Sequence, residues 1–518
     1  MINASSASPA SSATGERRAV ARASAPARTI GWFGVFRLGL VQTSLGAIVV
    51  LTTSTINRVM VVELALPALL PGLLVGLHYA VQITRPRMGH GSDRGGRRTP
   101  WIVGGMAVLG AGGALAAVAT MLVASHAIAG IALALLAFVM VGLGVGASGT
   151  SLLVLLAAAV APRYRGAAAT TVWVMMILGF IVTAIVAGAQ LDPFSLERLV
   201  GVTATVSLVA FAVTCLAVWG IERRVLGAPL PEVSSARASI AQATIVGAAS
   251  AAPPVGPGAA EAPDSGVAPA GVAPAPGATP DEEPATDFRT ALRDVWAEPE
   301  ARRFSVFVFV SMLAYSAQDL ILEPFAGTVF GMTPGQSTQL SGTQHGGVLA
   351  GMLMVALATV ALRGRTLGSL RFWTIAGCAG SAVALATLAV GGLIAERFPL
   401  QPAVFALGLA NGAFAVAAIG SMMDLVGRGG RRREGVRMGL WGAAQAIAFG
   451  LGGLCATSAV DLGRLLVDEP ATAYGAVFAL QALLFVLAAA LARGVYRPAE
   501  PERAAPLAPG RLVLETQR

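Results

Sequence analysis

The chain has 518 residues, of which 55% are hydrophobic and only 12% charged. Soluble globular proteins carry about 25% charged residues, so this composition excludes an ordinary soluble domain and points to a membrane. The net charge of +9 comes from arginine alone, since there is no lysine; the arginines gather at the ends of apolar stretches, which marks anionic lipid headgroups, not nucleic acid, as their partner.

Residues 1–30 are Ala, Ser, Pro and Arg without an apolar core, and read as a flexible cytoplasmic tail, not a signal peptide. Six apolar stretches follow, near 35–56, 64–84, 101–124, 128–158, 166–189 and 199–220. Six more lie near 303–326, 346–362, 372–394, 400–424, 437–460 and 472–493. Each approximates the roughly 20 residues needed to span a bilayer, the eighth being short and polar-flanked. The break at 228–286 is rich in Ala, Pro, Gly and Val without period, and reads as a disordered cytoplasmic linker. The expected organisation is an all-α polytopic membrane protein with six-helix bundles at 31–227 and 287–495 and a cytoplasmic tail at 496–518. Arg289–Arg303, with Leu292, Val295 and Trp296, is either a short amphipathic surface helix or a polar lead-in to the seventh span.

The connection between spans two and three reads RPRMGHGSDRGGRRTP from Arg85 to Pro100. Its five arginines place it in the cytoplasm by the positive-inside bias. The loops on its side also carry Arg163, Arg165, Arg363, Arg365, Arg371, Arg428, Arg431, Arg432, Arg433 and Arg437; the opposite connections carry only Arg58, Arg198, Arg397 and Arg464. This imbalance predicts an even number of spans with both termini inside. Gly89, Asp93, Arg94, Gly96, Arg97 and Arg98 fit G-x-x-x-D-R-x-G-R-R, which resembles the signature loop of the major facilitator superfamily. Twelve helices in two pseudo-symmetric bundles are what that resemblance implies. A weak internal repeat agrees: Arg165 precedes Trp173, and Arg433 precedes Trp441, by the same spacing.

Several polar groups in apolar stretches need a reason. Asn57, Arg58 and Glu63 surround the expected end of span one, where Arg58 and Glu63 could meet across a turn or form a solvated external cap. His78 lies inside span two and requires a hydrogen-bond partner or a ligand. Gln318, Asp319 and Glu323 lie late in span seven; Asp319 and Glu323, four apart, share a helix face and could serve proton coupling or pair with a base. Gly142, Gly144, Gly146 and Gly149 in span four, and Gly439, Gly442, Gly450 and Gly453 in span eleven, allow close helix approach. Cys215, Cys378 and Cys455 have no metal-site spacing, and no nucleotide-binding, hydrolase or metalloprotease motif occurs, so neither an enzyme nor a protein-bound metal is expected.

Four segments together resemble the PucC/LhaA family, a bacteriochlorophyll-delivery branch of the major facilitator fold: FRLGLVQTSLGAIVVLTTSTINRVMVVELALPA, HYAVQITRPRMGHGSDRGGRRTP, SAQDLILEPFAGTVFGMTPGQSTQLS and GLWGAAQAIAFGLGG. The resemblance implies a non-enzymatic assembly factor for purple-bacterial light-harvesting complexes in the inner (intracytoplasmic) membrane. Bacteriochlorophyll would be its cargo or bound pigment. Antenna polypeptides would be its partners, with the core photosynthetic complex and pigment-synthesis enzymes as further candidates, and the core antenna slightly favoured. The family's segments fall on Asn57–Glu63, on His78 and Arg85–Pro100, on Gln318, Asp319, Glu323 and Pro324, and on Gly439, Leu440, Trp441, Gly442 and Gln445. His78 then becomes a candidate ligand for a chlorin magnesium, beside a purely structural hydrogen bond. Two other readings stay open: a proton-coupled exporter of a small amphipathic solute, and a pigment-free scaffold of the photosynthetic membrane.

Overall fold

The computed structural model describes residues 29–85, 88, 97–161, 164–222, 293, 296–362, 364–428 and 434–495. Most of the N-terminal tail, the 228–286 linker and the C-terminal tail lie outside these residues. So do Gly89, Asp93, Arg94 and Gly96, and most of the expected lead-in helix.

The described chain is all helix. In order, it forms α1 (Trp32–Glu63), α2 (Leu69–Val81, continued by a 3₁₀ turn at Gln82–Thr84), α3 (Thr99–Val123), α4 (Ala127–Ala159), α5 (Arg165–Leu191) and α6 (Leu196–Val218). Then come α7 (Pro299–Phe330), α8 (Pro334–Ala361), α9 (Leu370–Gly391), α10 (Leu400–Arg428), α11 (Glu434–Leu466) and α12 (Pro470–Val495). Among the described residues, eleven helices are long and apolar enough to cross a membrane, and α2 is a shorter apolar helix. The chain is a multi-pass membrane protein.

Helix pairing repeats between the halves. In the first, α1 packs on α5 and α6, α3 on α4 and α6, and α2 on α4; in the second, α7 packs on α11 and α12, α9 on α10 and α12, and α8 on α10. The halves meet where α5 packs on α8 and α2 on α11, with α1 against α7 between them. The apolar windows of α1 and α7 are each 72% buried and that of α6 is 28% buried, which puts α1 and α7 at the centre and α6 at the lipid face.

Three boundaries differ from the sequence reading. Span one continues to Glu63, because two wide π-helical stretches, Leu51–Thr55 and Val59–Glu63, carry the helix past the polar residues. Asn57 and Arg58 are therefore not a solvated cap but buried helix residues. Span two starts later, at Leu69, with Pro67 before the helix and Pro71 in its first turn, where a missing N–H is harmless. Span eight is not short: it begins at Pro334, behind a capping box in which Thr333 Oγ1 accepts from the Gln336 N–H and Gln336 Oε1 accepts from the Thr333 N–H. Its first turns look polar in sequence because they face other helices, not lipid; Ser337, Thr338, Ser341 and Gln344 are all buried.

Glycine sets the closest crossings. On α4, a Cβ at Gly144 would meet the Leu109 backbone of α3, and one at Gly142 would meet the His78 carbonyl of α2. On α8 and α10, Gly347, Gly351, Gly408 and Gly412 each leave room for a backbone carbonyl of the partner helix.

Candidate functional site

The family-segment residues of α1 meet those of α7 at the centre. Pro324 sits inside α7 and has no N–H, so the Leu320 carbonyl four residues earlier loses its helical partner. Asn57 of α1 supplies the replacement: its Nδ2 donates to Leu320 O at 2.7 Å. Arg58 follows on the same turn and is 2% exposed. Its guanidinium donates to Glu63 on its own helix and, at 2.6 Å, to the Met332 carbonyl just past α7. It lies flat on α7 at Gly327, where a Cβ would come within 2.9 Å of Nη2. The Thr55 and Thr338 hydroxyls complete the junction to α8 at 3.0 Å. Of the two arrangements open for Arg58 and Glu63, the pair forms, with Arg58 buried and Glu63 partly exposed at the end of α1.

Beside this junction is a small chamber between the halves, lined by Asp319 and Glu323 of α7, Ser341 and His345 of α8, and Tyr79 of α2 among others. Asp319 and Glu323 do share one face, and Glu323 is only 2% exposed. Among the described residues, neither Glu323 oxygen closes a hydrogen bond of good geometry; Arg58 and the Ser341 hydroxyl face it. The chamber holds about 40 Å³. That is space for a few waters, an order of magnitude below the roughly 300–1,000 Å³ of ordinary ligand pockets. Gln318 is fully buried, does not line the chamber, and has no hydrogen-bond partner for its amide among the described residues.

His78 is 1% exposed and stands at the α2–α4 crossing. Gln82, one turn on, accepts from Arg85 through Oε1 and so turns its NH₂ toward His78 Nε2, 2.8 Å away. That arrangement uses Nε2 as an acceptor and leaves the proton on Nδ1, so neither nitrogen offers a free lone pair. The hydrogen bond is within α2, not to a neighbouring helix. Arg98 is buried at the start of α3, where the Glu222 carboxylate accepts from the Arg98 and Thr99 N–H groups; Arg97 is exposed. Trp441 and Gln445 pack α11 onto α7: Trp441 Nε1 donates to Ala301 O at 3.4 Å, and Gln445 Nε2 reaches Met312 Sδ at 3.5 Å. Gln42 of α1 and Met176 of α5 mirror that contact at 3.2 Å in the first half.

Two further carboxylates were not singled out by sequence. Asp461 of α11 accepts from the Ala68 and Leu69 N–H groups at the start of α2, and Asp192 at the end of α5 accepts from Thr333 Oγ1 at the start of α8. They occupy matching places in the two halves: Asp461 satisfies N–H groups at the start of α2, and Asp192 holds the N-cap hydroxyl of α8. No local pattern announces them, because each acts on a helix distant in sequence.

A larger space opens sideways. Between α1, α5 and α6 lies a groove of about 900 Å³. Its walls include Val182 and Val186 of α5 and Val209 of α6, each more than half exposed. Gln190, Asp192 and Arg198 gather at one end. Among the described residues no group of three His, Cys, Asp or Glu side chains could hold a metal.

The family model described as PUCC protein matches residues 55–251 and 274–499, which takes in both halves. The chain belongs to the PUCC protein family. It is similar to the "Bacteriochlorophyll synthase 44.5 kDa chain" of Rhodobacter capsulatus, with 51% identity over 90% of this chain and 96% of that one. A protein of the puhA-bchM intergenic region of Rhodobacter capsulatus is 28% identical over 90% of each chain. Protein PucC of Cereibacter sphaeroides is 27% identical over 86% of this chain and 88% of that one. A solved bacterial homologue of the drug peptide transporters PepT1 and PepT2 superposes with a TM-score of 0.57 at 15% identity, covering 89% of this chain and 97% of that one. That likeness shows the major facilitator fold of this PUCC family member.

Proposed function

We propose that this protein is a non-enzymatic assembly factor for light-harvesting antenna complexes, handling bacteriochlorophyll at its membrane-facing side. The observation that carries this reading is the match to the PUCC family across both halves, reinforced by a 51% identical relative named for bacteriochlorophyll. The contrast in free space bears on how cargo is handled. A macrocycle with a hydrocarbon tail does not enter a chamber of about 40 Å³, whereas the groove beside α5 and α6 has about 900 Å³ of mainly apolar space. The tail would lie along the valines, and the polar edge of the pigment would stay near Gln190, Asp192 and Arg198. The nascent antenna polypeptide and, behind it, the core complex and the pigment-synthesis enzymes are the partners this reading implies, with both termini and the linker on the cytoplasmic side of the bacterial inner membrane. His78 takes a structural role in it.

The chamber favours a second reading, a proton-coupled exporter, because Asp319 and Glu323 face a space between the halves. Purification in mild detergent separates the readings. Near-infrared absorption that tracks the protein supports pigment handling. Antenna polypeptide bound without pigment supports the scaffold reading, and pH-driven flux of a solute in liposomes lacking antenna supports the exporter.

A further inference from the structure

Arg58 is the cation facing Glu323, and it is already committed. Its guanidinium donates to Glu63 and to the Met332 carbonyl. The groups around Glu323 are then unequal in charge. Arg58 comes from α1; from α7 itself comes Asp319; α8 contributes His345 and Ser341, and α2 contributes the Tyr79 phenol. His345 uses Nδ1 on the Ser341 carbonyl at 2.8 Å and sets its ring edge on Phe180. With Arg58 neutralised by Glu63, a carboxylate at Glu323 stands buried with no further countercharge among the described residues. Such a charge is expensive in a bundle interior unless it is paired. The pocket beside it has about 40 Å³, enough for one small hydrated ion and too little for a solute.

We infer that the chamber is a site for one small monovalent cation, held on the Glu323 carboxylate with the Ser341 hydroxyl beside it. The second part of the inference is that Arg58 transfers from Glu63 to Glu323 when that cation leaves. The path is short, because Gly327 lets the guanidinium lie on α7 one helical turn from Glu323. Glu63, in contrast to Glu323, is partly exposed and can be rehydrated when Arg58 departs. The transfer would release the Arg58 contact with the Met332 carbonyl, and so loosen the connection between α7 and α8 from α1. Cation occupancy would thereby set how firmly the halves are fastened on that side. The proton and sodium are the two sources of this chemistry.

The test uses the full chain purified in detergent, as wild type, Glu323→Gln and Glu63→Gln. Infrared difference spectra between low and high pH report the protonated-carboxyl band, and radioactive sodium binding reports sodium. Hydrogen exchange of residues 59–68 and 331–334 reports the fastening. A carboxyl band present in wild type and Glu63→Gln but absent in Glu323→Gln assigns the cation as a proton. Sodium binding of about one per chain, weakened in Glu63→Gln, where Arg58 competes for Glu323, and lost in Glu323→Gln, assigns it as sodium. In either case exchange at 331–334 rises at least several-fold when the cation is removed from wild type and stays low in Glu323→Gln. If Glu323→Gln folds and its spectra, sodium binding and exchange all equal those of wild type, the inference is overturned. If the band or the binding is lost without any change in exchange, the transfer of Arg58 is overturned.

Discussion

Asn57 and Leu320 are 263 residues apart in sequence, yet one hydrogen bond between them repairs the helix that Pro324 interrupts. Replacing Asn57 by Leu should destabilise the folded protein by about 1–3 kcal/mol, the range for a buried group left without its partner. Adding Pro324→Ala should remove most of that cost, because alanine at this position brings back the N–H that the Leu320 carbonyl lacks. Thermal unfolding of the single and double variants in detergent checks this; equal losses in both would show that the two residues act independently. At His78, Phe and Asn variants should lower stability by about the same 1–3 kcal/mol while leaving bound pigment per folded protein unchanged, since both ring nitrogens are engaged or protonated. A fall in that ratio would restore the ligand reading. Gln318 has no partner among the described residues, so Gln318→Met should be neutral or stabilising; a loss of antenna assembly without loss of fold would give the amide a functional contact. The sequence showed that these residues needed reasons but not which reasons. Whether Arg58 caps the helix in water or lies inside depends on where α1 ends, and that depends on two π-helical stretches with no signature of their own.

At the scale of helices, the legible part was the apolar length, and the illegible part was what each polar or small residue faced. The eighth span looked short because Ser337, Thr338, Ser341 and Gln344 interrupt it, yet all four point into the protein. Glycine-rich stretches on α4 and α11 are visible in sequence as packing sites, whereas the tighter α8–α10 crossing is not, its four glycines being spread over two helices. Neighbouring glycines there make a controlled comparison. A Cβ at Gly346 meets nothing within 4 Å, while one at Gly347 would strike the Phe405 carbonyl. Gly346→Ala should be neutral or stabilise by up to about 1 kcal/mol, as expected for helical Gly→Ala, and Gly347→Ala should cost about 1–3 kcal/mol from overpacking. The yield of monodisperse protein on size exclusion reads the difference, and equal yields would contradict the close crossing.

For the whole molecule, the matched helix pairings bear out the two-bundle expectation, and the arginine imbalance becomes sharper once Arg58 is removed from the outer loops. Cytoplasmic placement of the termini, of Arg85–Pro100 and of the linker remains a proposal from that imbalance. Labelling of single cysteines in a cysteine-free variant should be cytoplasmic at Ser92, and periplasmic labelling would reverse the orientation. The linker lies outside the described residues; deleting part of 240–280 should leave membrane insertion intact, because that stretch, rich in Ala, Pro and Gly, holds no Leu, Met or aromatic residue. The central claim is that pigment is handled in the groove beside α5 and α6 and not in the chamber between the halves. Its most direct measurement is bacteriochlorophyll absorbance per folded protein after purification in mild detergent, for wild type, for Thr205→Trp in the groove and for Ser341→Val in the chamber. The account predicts pigment with wild type and with Ser341→Val, and at least a several-fold loss with Thr205→Trp. Pigment retained by Thr205→Trp but lost from Ser341→Val, or no pigment on the wild-type protein, would contradict it.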